Sequence, residues 1–324
     1  MRRIALAALT VAAILSTGAC GAAFGGGADP DSKLTPVTLA VLPDVEVAPI
    51  YLGKAQGIFA RNGLDLKLVQ ASSDMVVPGV LSGEYDYAYS NDMSVIVARS
   101  QGLPMKIVAG AASSTGVRGG DFAGLVVANG GAVASVRDLK NKTVGVDSLK
   151  GLSETAVRAS MRKAGGDDAS IKFLEVSPND VPAALAAGRI DAGWVSEPYL
   201  SVALAQGDRL LSNPYLDLDG QLSSGVYFAD EDWVAANGAL AQRVTKALNE
   251  SVAYAQSHPD QVRQTLPAYL KISSDLAERI VLPQYSSDVT LSSLQVLAHA
   301  AEHDGLIVSS LDIGTSFDVS ELIR

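Results

Sequence analysis

Residues 142–207 run through one unit three times, a short apolar run, a polar loop and an amphipathic stretch, and this limits the possible folds more than any other feature. Thr143-Val144-Gly145-Val146 gives way to Asp147-Ser148-Leu149-Lys150-Gly151, after which residues 153–164 place Ala156, Val157, Ser160, Met161 and Ala164 on one helical face. Gly165-Gly166 stops that helix. A second strand is predicted over residues 171–176 and a short helix over 179–187, ended by Gly188. A third strand over 190–195 runs into Glu197-Pro198, a helix start. Such alternation calls for a parallel sheet with helices on its faces. Ligands on these sheets sit beyond the carboxyl ends of the strands, here residues 147–153 and 195–197. Backbone N–H groups at the helix starts suit acceptors or anionic groups. Neither loop pairs a nucleophile with a base, so both are read as holding a molecule rather than cutting one.

The first half repeats this grammar. Strands are predicted over residues 37–42, 64–69, 86–89, 105–109 and 125–127, with helices from Pro49 to a stop at Asn62-Gly63, over 76–81, and up to Gly102. After a strand at 225–228 the chain turns helical, over 230–236, 239–257, 259–269, 274–281 and 291–303, with Asp230 and Ser257 as expected N-caps. With 324 residues, about two domains are expected. An excess of 35 Asp and Glu over 25 Lys and Arg, with no basic stripe, argues against nucleic acid as a partner.

The amino end has its own logic. Met1-Arg2-Arg3 precedes a twelve-residue apolar run, residues 4–15, which is too short to span a bilayer and right for an export leader. Ser16-Thr17-Gly18-Ala19-Cys20 resembles the lipobox of bacterial lipoproteins, with Thr17 where Leu is commoner. Cys20 is the sole cysteine, so disulfides and cysteine-based metal sites are excluded. A signal peptide over 1–19, lipidation at Cys20 and a Gly/Ala/Asp/Pro-rich tether over 20–35 are expected. They place the protein at the outer face of a bacterial cytoplasmic membrane.

Four blocks carry a family resemblance. Ala48-Pro49-Ile50-Tyr51-Leu52-Gly53-Lys54-Ala55-Gln56-Gly57-Ile58-Phe59, with Gly63-Leu64-Asp65-Leu66 after it, resembles the opening of ABC-importer solute-binding proteins of the nitrate/sulfonate/taurine type, a superfamily shared with binders of thiamine-pyrimidine precursors. Gly83-Glu84-Tyr85-Asp86, the run from Val136 through Asp138-Leu139-Lys140-Asn141-Lys142 to Val146, and Gly188-Arg189-Ile190-Asp191-Ala192 with Glu197-Pro198 follow in the family's order. The resemblance implies a two-lobed α/β fold of the type 2 periplasmic binding kind, each lobe a mainly parallel sheet flanked by helices. Lobe 1 would be residues 36–124 with 225–324 and lobe 2 residues 125–224, and hinge closure around a small solute would be read by a membrane permease. It implies no enzyme, no cofactor and no metal, and a monomer is expected.

The resemblance implies a cleft lined by Asp44, Ser90, Asn91, Ser113 and Thr115 from the first lobe and Ser148, Gly151, Leu152, Ser153 and Glu197 from the second. Hydroxyls, amides and loop N–H groups give donors and acceptors, and the same residues also favour caps and turns. Charge divides the readings of the solute. A sulfonate, taurine or nitrate calls for N–H donors and often an arginine, and Arg118 is the only one near a predicted strand end. Asp44, Glu46, Glu154 and Glu197 would repel an anion and suit a pyrimidine or other nitrogen heterocycle, against which Tyr51, Tyr89, Trp194, Tyr199 or Tyr227 could stack. A third reading, a zinc hydrolase, rests on His299-Ala300-Ala301-Glu302-His303, which matches an inverted zinc-protease motif but has no third ligand in a recognised context. A pyrimidine synthase of the same superfamily carries a cysteine-rich motif that this chain lacks.

Overall fold

A computed structural model describes residues 34–307; the leader, Cys20 and nearly all of the tether lie outside the described residues. Ten strands form two five-stranded sheets: β1 (Thr35–Val41), β2 (Leu64–Gln70), β3 (Tyr87–Ser90), β4 (Met105–Ser113), β5 (Ala123–Val127), β6 (Thr143–Val146), β7 (Lys172–Glu175), β8 (Ala192–Ser196), β9 (Arg209–Ser212) and β10 (Ser223–Asp230). The strand order is β2-β1-β3-β10-β4 in the first sheet and β7-β6-β8-β5-β9 in the second. Both have one plan. Three parallel strands (β2, β1, β3; β7, β6, β8) are followed by one antiparallel strand (β10; β5) that arrives from the other sheet.

Burial explains which strands the sequence announces. β3, β5 and β8 are buried along their whole length between helical layers, so they read as unbroken apolar runs. β9, at a sheet edge and partly exposed, carries Arg209 and Ser212 around two leucines, and it was not expected. The helix expected over 274–281 is one turn, Ser274–Ala277, and the following segment instead lies along β4, with Ser113 and Gln284 exchanging both backbone hydrogen bonds. Asp230 caps its helix by accepting from Trp233 N, as the sequence indicates. Ser257 does not cap: its hydroxyl donates back to the carbonyls of Ala253 and Tyr254, and His258 takes the N-cap position.

Two crossovers, residues 114–122 and 213–222, join the sheets and are bonded to each other. Ser114 N donates to Leu222 O at 2.9 Å, and the buried Asn213 side chain accepts from Gly119 N and donates to Ala123 O, both at 2.8 Å. Asp121 closes the first crossover by accepting from Thr115 N at 2.9 Å. These paired connections hold the carboxyl ends of β1, β2 and β3 opposite those of β6, β7 and β8.

Candidate functional site

All six of those strand ends border one cavity of about 550 Å³. The first sheet supplies Asp44 and Glu46 after β1, Ser72–Asp74 after β2, Tyr89 and Asn91 at the end of β3, and Ser224 from β10. The second supplies residues 147–153 after β6, 177–179 after β7, and Trp194, Ser196, Glu197 and Tyr199 around the end of β8, with Tyr215 from the second crossover. Its size and its place at opposed strand ends suit one small organic molecule.

Of the expected residues, Asp44, Asn91, Ser148, Gly151, Leu152, Ser153 and Glu197 line this cavity. Three do not. Ser90 alternates with Tyr89 and Asn91 along β3 and so points to the opposite face, where it is 1 % exposed. Ser113 lies on a separate cavity of about 320 Å³ with Gln284 and Ser286. Thr115 completes the first crossover, donating through Oγ1 to Gly120 O at 2.9 Å. Among the aromatic candidates, Tyr51 stacks on Tyr269 at 4.0 Å and Tyr227 is a core residue, whereas Tyr89, Trp194 and Tyr199 are cavity walls. Arg118 is exposed, pairs with Asp217 at 2.7 Å, and takes no part in the cavity.

Local chemistry fixes the rims. Asp44 begins a single 3-10 turn whose carbonyls are held from the C-terminal half: Tyr269 Oη donates to Asp44 O and Tyr285 Oη to Val45 O, each at 2.9 Å. Pro49 then starts the helix Ala48–Ala55. Asn91 caps the helix Asp92–Ser100, accepting from Ser94 N at 2.9 Å. In the second sheet Asp147 accepts from its neighbour Ser148 N at 3.0 Å and from the Ser153 hydroxyl, which ties the loop to the first turn of the helix Leu152–Lys163. Tyr215 packs between Trp194 and Phe122, with ring centroids at 5.6 and 6.0 Å.

The site is acidic. Burial first, and then the charge of Asp44, push the Glu46 carboxyl up to about 8; Ser224 Oγ donates to it. Asp44 is raised to about 6, chiefly by burial, with the charge of Asp147 across the cleft adding to it. Asp147 is open to the solvent of the cleft yet ringed by enough protein to be raised as well. Glu197 is raised by burial, but its oxygens are occupied. They accept from Ser201 N at 3.0 Å, Ser201 Oγ at 2.8 Å and Val281 N at 3.1 Å. Against these, Lys150 is the one basic side chain among the lining residues.

Beneath the site lies Asp92, fully buried and raised to about 7 by burial. One oxygen accepts from Ser223 Oγ at 2.8 Å and the other has no partner. A carboxyl raised on folding contributes stability that is complete below its unfolded pKa and is lost as pH climbs through the folded value. Asp92→Asn is therefore expected to gain on the parent as pH rises through this range, by a few kcal/mol, order of magnitude, between about pH 4 and pH 8.5. Chemical denaturation at the two pH values checks this, and equal effects at both would refute it.

The His299, Glu302 and His303 triad does not assemble. His299 and Glu302 are exposed on the helix Leu291–His303. The one group among the described residues with metal-ligand proximity joins His303 to Asp168 and Asp304 instead. Arg162 already lies between those two carboxylates, 2.7 Å from Asp168 and 2.8 Å from Asp304.

Sequence reasoning misses Asp147, Tyr215 and Ser224 as cavity residues, and with them the loops after β2 (72–74) and β7 (177–179). Asp147 was within the loop already singled out. Tyr215 and Ser224 come from a crossover and an antiparallel strand that have no local ligand-site signal.

The arrangement of two mixed sheets with opposed rims is the fold of periplasmic solute-binding proteins. It matches the periplasmic aliphatic sulphonate binding protein SsuA from Escherichia coli with a TM-score of 0.73, 20 % identity, and coverage of 87 % of this chain and 91 % of that one, a likeness of fold. The family model described as NMT1/THI5 like matches residues 44–262, and the chain belongs to that family. Among curated relatives, the riboflavin-binding protein RibY of Chloroflexus aurantiacus is 25 % identical over 274 residues, 82 % of this chain and 67 % of the relative. A putative aliphatic sulfonates-binding protein of Bacillus subtilis is 22 % identical over 279 residues, 84 % of this chain and 80 % of the relative.

Proposed function

We propose that the chain is the extracytoplasmic solute-binding component of an ABC importer, capturing a small organic solute in the cleft between its two sheets and delivering it to a permease. The observation that carries this reading is the single cavity bordered by six strand ends, three from each sheet. Paired crossovers of this kind let two rigid lobes turn about a short hinge. The bodies that move are the two sheets with their helices, close to the expected lobes 36–124 with 225–324 and 125–224, with β5 beginning at Ala123 and β10 at Ser223. Anchoring through a lipid on Cys20 would hold the protein at the outer face of the membrane with the cleft free to meet both solute and permease.

The relatives' names include a sulfonate binder and a riboflavin binder. For this chain the family resemblance points to a sulfonate, taurine or nitrate-like solute, and the acidic wall of the cavity supports the alternative, a pyrimidine or other nitrogen heterocycle. The test uses the full chain in detergent micelles, titrated with taurine, methanesulfonate, nitrate and a set of pyrimidines. Saturable change in Trp194 fluorescence, together with slowed hydrogen exchange at residues 42–46 and 147–153, is the expected result. Chemical conversion of any of these compounds, with no protection of those two rims, would overturn the transport reading.

A further inference from the structure

An anion held in a cleft needs donors that carry positive charge. This cleft has the opposite set. Asp44 and Glu46 from the first sheet and Asp147 from the second border one space, and the charge of Asp147 is felt at Asp44 across it. Of the other two acidic residues in the wall, Glu197 has both oxygens engaged by the protein, and Asp74 accepts from Ser72 at the rim. The remaining three each have one oxygen engaged, Asp44 Oδ1 by Glu46 N, Glu46 Oε1 by Ser224 Oγ and Asp147 Oδ1 by Ser148 N and Ser153 Oγ, which leaves the second oxygen of each for a donor from the cavity.

A second observation, independent of the carboxylates, concerns Trp194. It is a cavity wall, 4 % exposed, and its indole N–H has no acceptor. An indole nitrogen can only donate, and a buried donor without a partner is costly. Tyr215 stands beside it at 5.6 Å, and burial together with the charges of Glu46, Asp147 and Asp44 pushes the Tyr215 phenol up, so the indole and the carboxylates border the same small volume. The wall thus asks for two things in one molecule: N–H donors with positive charge, and an acceptor.

Resting on the reading of this cleft as a solute site, we propose that it selects a solute bearing a cationic or amidine-type N–H group, seated among Asp44, Glu46 and Asp147, and a hydrogen-bond acceptor that takes the Trp194 N–H. The groups facing Glu46 are Asp44, Asp92, Tyr89, Tyr215, Tyr227, Tyr285 and the Ser224 hydroxyl, while Lys150, the one basic residue of the wall, is exposed and is not among them. Nothing in that set supplies a positive charge, so the solute must. In the empty cleft the charges of Asp44 and Asp147 oppose approach of the rims, and a cation between them turns that repulsion into attraction on both sides. The solute's charge is in this way the signal for closure.

The probes are benzamidine, a planar amidinium without an acceptor; 4-carbamoylbenzamidine, the same cation with one; benzenesulfonate; and nitrate. Each is titrated against the full chain by tryptophan fluorescence in a Trp233→Phe background. Both amidines are expected to saturate, the carbamoyl compound about tenfold more tightly because it adds one hydrogen bond to a buried donor. Trp194→Phe, read by melting temperature and calorimetry, should abolish that tenfold difference and leave benzamidine binding in place. Asp44→Asn/Glu46→Gln should weaken both amidines at least tenfold while melting no lower than the parent, since neither carboxyl is at ease ionised. If benzenesulfonate or nitrate binds more tightly than the amidines, the charge assignment is wrong although the cleft remains a solute site. If none of the four saturates and none alters hydrogen exchange at the rims, the solute-site reading falls together with the proposal.

Discussion

Gly53→Val is expected to lower the melting temperature by about 10 °C, from roughly 3–4 kcal/mol of lost stability. Gly53 is the contact point between the helix Ala48–Ala55 and the long helix Gly238–Ser257. A Cβ on it would lie 2.0 Å from Ser251 Oγ and 2.6 Å from Ser251 Cβ. Turning the hydroxyl away removes only the first clash; the second is with an atom fixed to the backbone, so the helices must separate. Ser251 is fully buried and donates to Ala247 O at 2.7 Å, so it has no free space to move into. The contact is specific and therefore reversible: Gly53→Ala alone should be destabilising, and Gly53→Ala/Ser251→Gly, which exchanges the two side chains, should recover most of the loss. Thermal unfolding of the parent, Gly53→Ala, Ser251→Gly and the double variant decides it, and additive losses in the double variant would show that the helices do not meet there. The effect reaches the cleft because this helix follows directly on the turn that carries Asp44 and Glu46.

That pair also marks where reading the sequence stops. The helix over 239–257 is legible from its periodicity and agrees closely with the structure, whereas the one expected from Pro49 to Asn62-Gly63 starts as expected but is split, ending at Ala55 and resuming at Ile58–Arg61 after Gly57 takes a left-handed φ of 69°. Nothing local to Gly53 says that residue 251 packs on it. The same division holds at the site. Loops at strand ends are marked by Asp, Ser, Asn and Gly after apolar runs, so residues 44, 91, 148, 151–153 and 197 could be picked out. Alternation within a strand then separates Ser90 from Tyr89 and Asn91, and the rule of two was available in the sequence. Ser113 and Thr115 read as another strand-end loop, but β4 runs out into a crossover, and its polar end residues are consumed by Gln284, Gly120 and Asp121. Tyr215 and Ser224 reach the cavity only because the chain returns to it after crossing between the sheets, a property of topology with no local signature. Charge was legible in kind: Glu46 and Glu197 were both noted. Their different duties, one carboxyl facing the cavity and the other engaged by protein donors, depend on partners far along the chain.

Glu197→Ala is the second large expected effect, a loss of about 3–5 kcal/mol, which removes three hydrogen bonds to one buried carboxylate. Two of these bonds start the helix Tyr199–Ala205, through Ser201 N and Ser201 Oγ. The third, from Val281 N at 3.1 Å, comes from the segment that lies along β4 in the other sheet. Glu197 is thus both a cap and a tie between the sheets, made at the edge of the cavity. Burial raises its carboxyl even against those three donors, so the ionised group is held at a cost, and an uncharged acceptor of the same shape should preserve part of its role. Glu197→Gln keeps one carbonyl oxygen for Ser201 Oγ and Val281 N but turns an N–H group toward Ser201 N, and it should lose about half as much as the alanine variant. Ser201→Ala removes only the hydroxyl contact, a loss of about 1 kcal/mol. Hydrogen exchange separates cap from tie. In Glu197→Ala the amides of both Ser201 and Val281 should exchange faster than in the parent, whereas in Ser201→Ala the Val281 amide should stay protected. If Val281 exchange is unchanged in Glu197→Ala, the carboxylate serves its own helix alone, and the angle between the sheets is left to the two crossovers and to contacts such as the Arg162–Asp304 ion pair at 2.8 Å.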